Sequence, residues 1–280
     1  MTKQDSGGVM IVVGVDGSRT GLEAAGWAAR EAHLRGSTLR VVHAMAAWAS
    51  EPVESGRLAE VGRWMREGGT TVLAAGVDRA RHEAPDLAVD SALLPGDPRE
   101  ALIVAAREAE LLVVGNHGLG GFRGLLLGSV AYGVASHAPS HVAVVREQPA
   151  LLKGEVVVGV DGSPASAGVI ELAVAEAELR GAALRVVHAW TLLPPGGPAS
   201  DVGVVLKEAV AVVRERHPGL KVVEEAVQGH PVEVLRQASE GADLLVVGSR
   251  GRGGLTGMLL GSVSHAMLQY ATCPLIVART

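Results

Sequence analysis

Aromatic residues are scarce, at 2% of the 280 residues, although 48% of the chain is apolar. The core must therefore be filled mainly by Ala, Val and Leu. Val- and Leu-rich runs are what strands buried on both faces look like, which favours an α/β fold over a sandwich. Cysteine occurs once, as Cys273, so an internal disulfide and a cysteine zinc cluster are both excluded. An excess of positive charge is missing too, the formal net charge being −5. This argues against a nucleic-acid or anionic-membrane surface, while leaving room for one small anion in a local site. No stretch of about 18 apolar residues is free of charge or glycine, so no spanning helix is expected. Met1–Gly8 is polar and lacks the apolar core of a signal peptide. The expectation is a cytoplasmic protein with neither a nucleic-acid nor a membrane partner.

What the sequence has in abundance is repetition. Val12–Ser18 reads VVGVDGS, and Val157–Ser163 reads VVGVDGS again. EAHLRGSTLRVVHAM from Glu31 faces EAELRGAALRVVHAW from Glu176, and LLVVG from Leu111 recurs from Leu244. The second copy is shorter between His188 and Gly229. A period this long signals duplicated domains rather than a solenoid. The boundary is expected at Gln148-Pro149-Ala150, a short polar stretch of linker type, giving domains 1–149 and 150–280.

Within each copy, strand and helix signals alternate. In the first, strands are expected at Met10–Val15, Leu39–His43, Leu87–Leu94, Leu111–Val114 and His141–Val145. Helices are expected at Thr20–Leu34, between Ser55 and Arg81, after the Asp97 N-cap with Pro98 at its first position, and from Ser129. The third of these should place Ala101, Leu102, Ala105 and Ala109 on one face. The second copy repeats the strands at Val156–Val160, Leu184–His188, Lys221–Val227, Leu244–Val247 and Leu275–Val277. The fold expected is two tandem Rossmann-like α/β domains, each an open five-stranded parallel sheet flanked by helices. In such sheets ligands sit beyond the carboxyl ends of the strands. Attention therefore falls on the loops after strands one, two and four.

After strand four the copies read GNHGLGGFRGLLLGS and GSRGRGGLTGMLLGS. Both fit Gly-x2-Gly-x9-Gly-Ser, through Gly115, Gly118, Gly128 and Ser129, and through Gly248, Gly251, Gly261 and Ser262. Glycines let the backbone approach a ligand closely. Successive N–H groups then form an anion-binding concavity, and the following helix adds its N-terminal donors and dipole. Arg123, Arg250 and Arg252 are available to supply charge. Walker A is excluded because no Gly-Lys pair exists, and the Gly118, Gly120, Gly124 spacing misses the dinucleotide pattern by one residue. Asp16 and Asp161 end strand one at the same mouth. They either bond a nucleotide base or ribose edge or simply cap the Asp-Gly-Ser turn. His43 and His188 read as half-buried residues packed beneath the loop, and the backbone of Val42 and Val187 is placed to meet an adenine edge.

On these residues the chain resembles the universal stress protein family in its tandem form, over nearly its whole length. The Val-Gly-Val-Asp-Gly-Ser opening, the Val-Val-His-Ala second strand and the glycine loop together carry the likeness. The resemblance implies ATP, with or without Mg²⁺, across the strand mouths. By position it assigns the base edge to Gly14, Val15, Asp16 and Val42, and the phosphates to Gly115, Gly118, Gly128, Ser129 and Val130. In the second copy the counterparts are Gly159, Val160, Asp161 and Val187, then Gly248, Arg250, Gly251, Gly261, Ser262 and Val263. Two adenine-nucleotide sites per chain are implied, and a homodimer through last-strand edges. One departure is that Cys273-Pro274 precedes the last strand of copy two, whereas copy one has Ser140-His141.

Other constellations carry less. His137 and His141 straddle a helix end and a strand, which disfavours a shared metal face. Trp27, Trp48, Trp64 and Trp190 read as packing residues, and Glu224-Glu225 as solvated surface. No catalytic residue or protein-held metal is expected. Three functions follow: a nucleotide-dependent stress-response binding module, a slow ATPase or nucleotidyl-transfer enzyme, and a structural oligomerisation scaffold. The absence of an evident general base favours the first.

Overall fold

The computed structural model describes residues 9–51, 57–119, 127–146, 152–191, 202–251 and 259–279. Met1–Gly8, the Gln148–Ala150 linker, Arg123 and Arg252 lie outside them. The chain divides into two compact units, Met1–Val145 and Arg146–Thr280.

In unit one the elements run β1 (Met10–Gly14), α1 (Arg19–Arg35), β2 (Thr38–Met45), α2 (Ala47–Ser50), α3 (Arg57–Glu83), β3 (Val89–Pro95), α4 (Pro98–Ala105), β4 (Leu111–Gly115), α5 (Ser129–His137) and β5 (His141–Val145). In unit two they run β6 (Glu155–Val160), α6 (Ser166–Arg180), β7 (Ala183–Trp190), α7 (Val202–Arg216), β8 (Val222–Gln228), α8 (Pro231–Ala238), β9 (Leu244–Gly248), α9 (Ser262–Tyr270) and β10 (Leu275–Ala278). The strands of unit one lie in the order β3-β2-β1-β4-β5, all pairs parallel. Unit two shows the same order in its own strands, β8-β7-β6-β9-β10, again all parallel. Two open five-stranded parallel sheets flanked by helices are thus present, as the sequence predicts. Val13 sits in register with Val41 on one side and Val113 on the other. The chain leaves β1 towards β2 and later returns to its other side as β4. The sheet's topological switch point lies between them, and so does the crevice where ligands bind.

Continuous burial explains the unbroken apolar strands. Ile11, Val12, Val13, Leu111, Leu112 and Val113 are all fully inaccessible. Helix α1 meets the sheet through Ala24, Ala25, Ala28, Ala29 and Ala32, each at 0% exposure, so small side chains set a close helix–sheet distance. Ser18 caps α1 by accepting the Gly21 N–H at 3.1 Å, and Gly36 closes it at φ 63°. Gly181 closes α6 in the same left-handed conformation, φ 60°. Both helices carry a buried i,i+4 pair near that end, Glu31–Arg35 and Glu176–Arg180. A buried carboxylate persists only when so paired.

The departures from the sequence reading are local. Strand β2 runs on to Met45, because its pairing with β3 continues to Met45↔Pro95. Helix α4 stops at Ala105 and a single 3₁₀ turn, Ala106–Glu108, follows, so Ala109 does not extend the helical face. Glu224 and Glu225 are half-buried rather than solvated: Arg214 lies 3.6 Å from Glu224, and Arg185 Nε donates to Glu225 at 2.5 Å. Trp27 is packed at 4% exposure, but Trp64 is 74% exposed and packs little. The long helix survives at 27 residues in α3 and only 15 in α7. The α1–α3 seam is crossed by the ion pairs Arg79–Glu23 and Arg30–Glu83, and Arg79 also pairs with Glu83 within α3. The α6–α7 seam carries Arg216–Glu171 and His217–Glu178 contacts beside an apolar groove of about 370 Å³ along Ile170, Val174, Val212 and Val213.

Candidate functional site

Each unit has a cavity at its switch point, about 550 Å³ in unit one and about 430 Å³ in unit two. Both fall in the size range of small-molecule sites. Every residue assigned from sequence lies on one or the other. Gly14, Val15, Asp16, Val42, Gly115, Gly118, Gly128, Ser129 and Val130 line the first. Gly159, Val160, Asp161, Val187, Gly248, Arg250, Gly251, Gly261, Ser262 and Val263 line the second.

The polar end of each cavity is a helix start. Gly128 occupies the N-cap of α5 in extended conformation and offers no side-chain cap; Gly261 does the same for α9. Their own N–H groups are spent on Asn116 O at 2.7 Å and Ser249 O at 2.8 Å. The next three N–H groups, on Ser129, Val130 and Ala131, have no intrahelical acceptor by the geometry of a helix start; the same holds for Ser262, Val263 and Ser264. Such donors, with the dipole behind them, suit an anionic oxygen.

The aspartates hold this end in shape. Asp16 Oδ1 accepts from Ser18 N at 2.9 Å, and Oδ2 accepts from Leu119 N at 2.9 Å, so one carboxylate joins the strand-one turn to the glycine loop. Asp161 Oδ1 accepts from Ser163 N at 2.9 Å and from Ser166 Oγ at 3.0 Å. A Cβ on Gly118 or Gly251 would strike the aspartate Oδ2 of its own unit. These glycines are therefore required by the carboxylate itself. Gly115 makes room for backbone: its Cβ would lie 2.7 Å from the Thr20 carbonyl group. Gly248 is less confined, with Arg250 O and Val169 Cγ2 both at 3.1 Å.

The histidines serve the backbone. His43 Nδ1 donates to Val15 O at 2.8 Å, and His188 Nδ1 donates to Val160 O at 2.8 Å. A carbonyl only accepts, so Nδ1 carries the hydrogen in both. This is the packing role read from the sequence, and it fixes the strand-one end beside the cavity. Val42 O accepts Val15 N at 2.9 Å, leaving one lone pair available.

The apolar wall was missed by motif reasoning. Pro98 and Leu102 from α4 line the first cavity, and Pro231 and Leu235 from α8 line the second. A Cβ on Gly14 would lie 2.9 Å from Leu102 Cδ2, and one on Gly159 2.8 Å from Leu235 Cδ1. The glycine before each aspartate thus seats a leucine. The signal available was positional: Pro-x3-Leu opens the helix after strand three in both copies. Among the described residues no group of three His, Cys, Asp or Glu is placed to hold a metal, and both Asp16 oxygens are occupied by N–H donors. The residues do not make a protein-held magnesium site. Cys273 is fully buried, remote from this chemistry, and burial pushes its thiol up to about 12. No helix among the described residues is long and apolar enough to cross a membrane.

Fold and site together define a tandem α/β protein with a glycine-loop cavity at the switch point of each half. The model of the universal stress protein family matches residues 10–146 and again 154–279. The chain belongs to the universal stress protein family. It is 37% identical to universal stress protein Rv2623 of Mycobacterium tuberculosis, with 96% of each chain covered. It is 38% identical to universal stress protein Rv2005c of the same organism over the same shares. A universal stress protein from Archaeoglobus fulgidus shares the fold at TM-score 0.73 and 20% identity, covering 98% of this chain and 99% of the other.

Proposed function

We propose that each cavity binds one adenine mononucleotide, with ATP as the ligand, and that the chain is a two-site nucleotide-dependent binding module of the stress response rather than an enzyme. One observation carries this. Each cavity runs from an apolar wall, Leu102 or Leu235, to a helix start whose N-cap glycine offers no capping side chain. A planar base with an anionic tail matches that polarity. The base edge would meet the backbone of Val15, Asp16 and Val42, or of Val160, Asp161 and Val187. The phosphates would meet Gly118, Ser129 and Val130, or Gly251, Ser262 and Val263. Magnesium would ride on the phosphate oxygens. A cytoplasmic location and a homodimer through last-strand edges belong to the same proposal; light scattering on the purified chain tests the second.

The deciding experiment is ATP titration of the purified chain beside Gly261→Asp. Position 261 has φ −70° and ψ 159°, and a Cβ there meets nothing closer than 3.5 Å. An aspartate would cap α9 from within and repel phosphate. The expected result is two ATP per chain falling to one, with thermal stability held or raised. A chain that releases no adenine nucleotide on denaturation and binds none on addition overturns the proposal.

A further inference from the structure

The two cavities share their helix starts, aspartates and leucine walls, but not their charge. Two residues beyond the end of β4 stands His117, half-buried on the first cavity. Its carbonyl accepts the Thr20 hydroxyl at 2.5 Å, which ties the glycine loop to the start of α1. The equivalent place after β9 is Arg250, an exposed side chain on the wall of the second cavity. Ala165 stands where Thr20 would be, so that tie is absent from the second loop. Counting histidines neutral, Asp16 is the only formal charge among the described residues lining the first cavity. In the second, Asp161 is balanced by Arg250. Arg279, just past β10, is outside the cavity lining and matches Arg146, just past β5, so this pair does not distinguish the two cavities. Outside the described residues each glycine loop holds one further arginine, Arg123 or Arg252, so Arg250 against His117 remains the difference.

Both helix starts can take one phosphate equally well. Only the second cavity has an additional forked cation for phosphates beyond it, and guanidinium is the side chain best matched to phosphate oxygens. We propose that the second cavity discriminates nucleotides by phosphate number, through Arg250, and that the first accepts adenine nucleotides largely irrespective of it. This rests on the adenine-nucleotide reading above and adds that the duplicated sites are not equivalent. The second would hold the triphosphate when the first is shared among tri-, di- and monophosphates.

The test is calorimetric titration of the full chain with ATP and separately with AMP, at fixed ionic strength and with divalent metal chelated. The unaltered chain is expected to show two ATP classes about tenfold apart, the effect of one charged donor, and a single AMP class. Arg250→Gln, at an exposed position, should merge the two ATP classes at the weaker affinity. His117→Arg should raise the weaker class about tenfold for ATP and leave AMP within about threefold. Gly261→Asp, which silences the second site, should remove the tight ATP class alone. Equal ATP-to-AMP ratios at both sites, or an unchanged ratio in Arg250→Gln, overturn the discrimination while adenine-nucleotide binding stands. Absence of binding by either nucleotide overturns the underlying reading itself.

Discussion

Asp16 has two candidate jobs, and Asp16→Asn separates them. Its carboxylate accepts one N–H from each of two loops, Ser18 N and Leu119 N, both at 2.9 Å. A charge-assisted bond of this kind contributes about 1.5–3 kcal/mol. An amide keeps one acceptor oxygen and turns its NH₂ against the other N–H donor, so at least one bond is lost and two donors face each other. Asp16 is half-buried, and water recovers part of the deficit. The net expectation is a loss of about 2 kcal/mol in unit one, roughly 4–8 °C in melting temperature. The loosened loop should weaken nucleotide binding at the first site without regard to the base, so ATP and GTP affinities fall together. Differential scanning calorimetry and parallel ATP and GTP titrations read the two quantities. The opposite pattern, an unchanged melting profile with ATP weakened and GTP not, would show that the carboxylate reads the base edge and would refute the argument that it builds the loop.

Three further outcomes follow from the same geometry. Gly115→Ala should destabilise unit one by about 1–3 kcal/mol, since its methyl meets the Thr20 backbone. Gly248→Ala should cost unit two less, because Val169 Cγ2 is a side-chain atom that can yield; chemical denaturation of both variants compares them. Cys273, with its thiol raised by burial to about 12, should be inert to an aromatic disulfide reagent at neutral pH and titrate as one thiol per chain in denaturant. Burial raises the Glu83 carboxyl, but hydrogen bonds and charges from Arg79 and Arg30 outweigh it and leave its pKa lowered. A lowered folded-state value means stability fully present above the ordinary glutamate range and lost as pH falls through the folded pKa. Acid unfolding of Glu83→Gln should therefore show a weaker pH dependence below about pH 4.3 than the unaltered chain; an identical acid profile would discount the ion-pair seam.

The central strands were legible because they are buried on both faces, and a run such as Leu111–Val114 has few other readings, whereas β3 and β8 are half-exposed and alternate only weakly. The Asp97 cap was legible for the same kind of local reason, since it serves the Arg99 N–H two residues on; the Ser18 cap reads from the sequence only as part of a turn. The glycine loops announced the cavities by surviving duplication. What stayed hidden depends on contacts distant in sequence. Leu102 reaches the cavity only because β1 has a glycine against it, and Glu224 and Glu225 look solvated until Arg185 and Arg214 arrive from β7 and α7. The link from Asp16 to Leu119 spans 103 residues and has no periodic trace in the sequence.

The retained glycines therefore do not all testify to the same thing. Gly118 and Gly251 clear space for an aspartate, Gly115 for a helix backbone, and Gly14 and Gly159 for a leucine. Each would be kept for packing even with no ligand. Gly128 and Gly261 are different. Their φ of −75° and −70° suits any residue, and the space around a Cβ at Gly261 is ordinary. Serine, threonine or aspartate at either place would cap the helix, as Ser18 does for α1 and Asp97 for α4. Both copies leave the cap open at the helix start that follows the glycine loop and lines the cavity. The case for an anionic ligand thus narrows from a whole glycine motif to two positions, where glycine gives up a capping side chain and no packing constraint of comparable strength explains it.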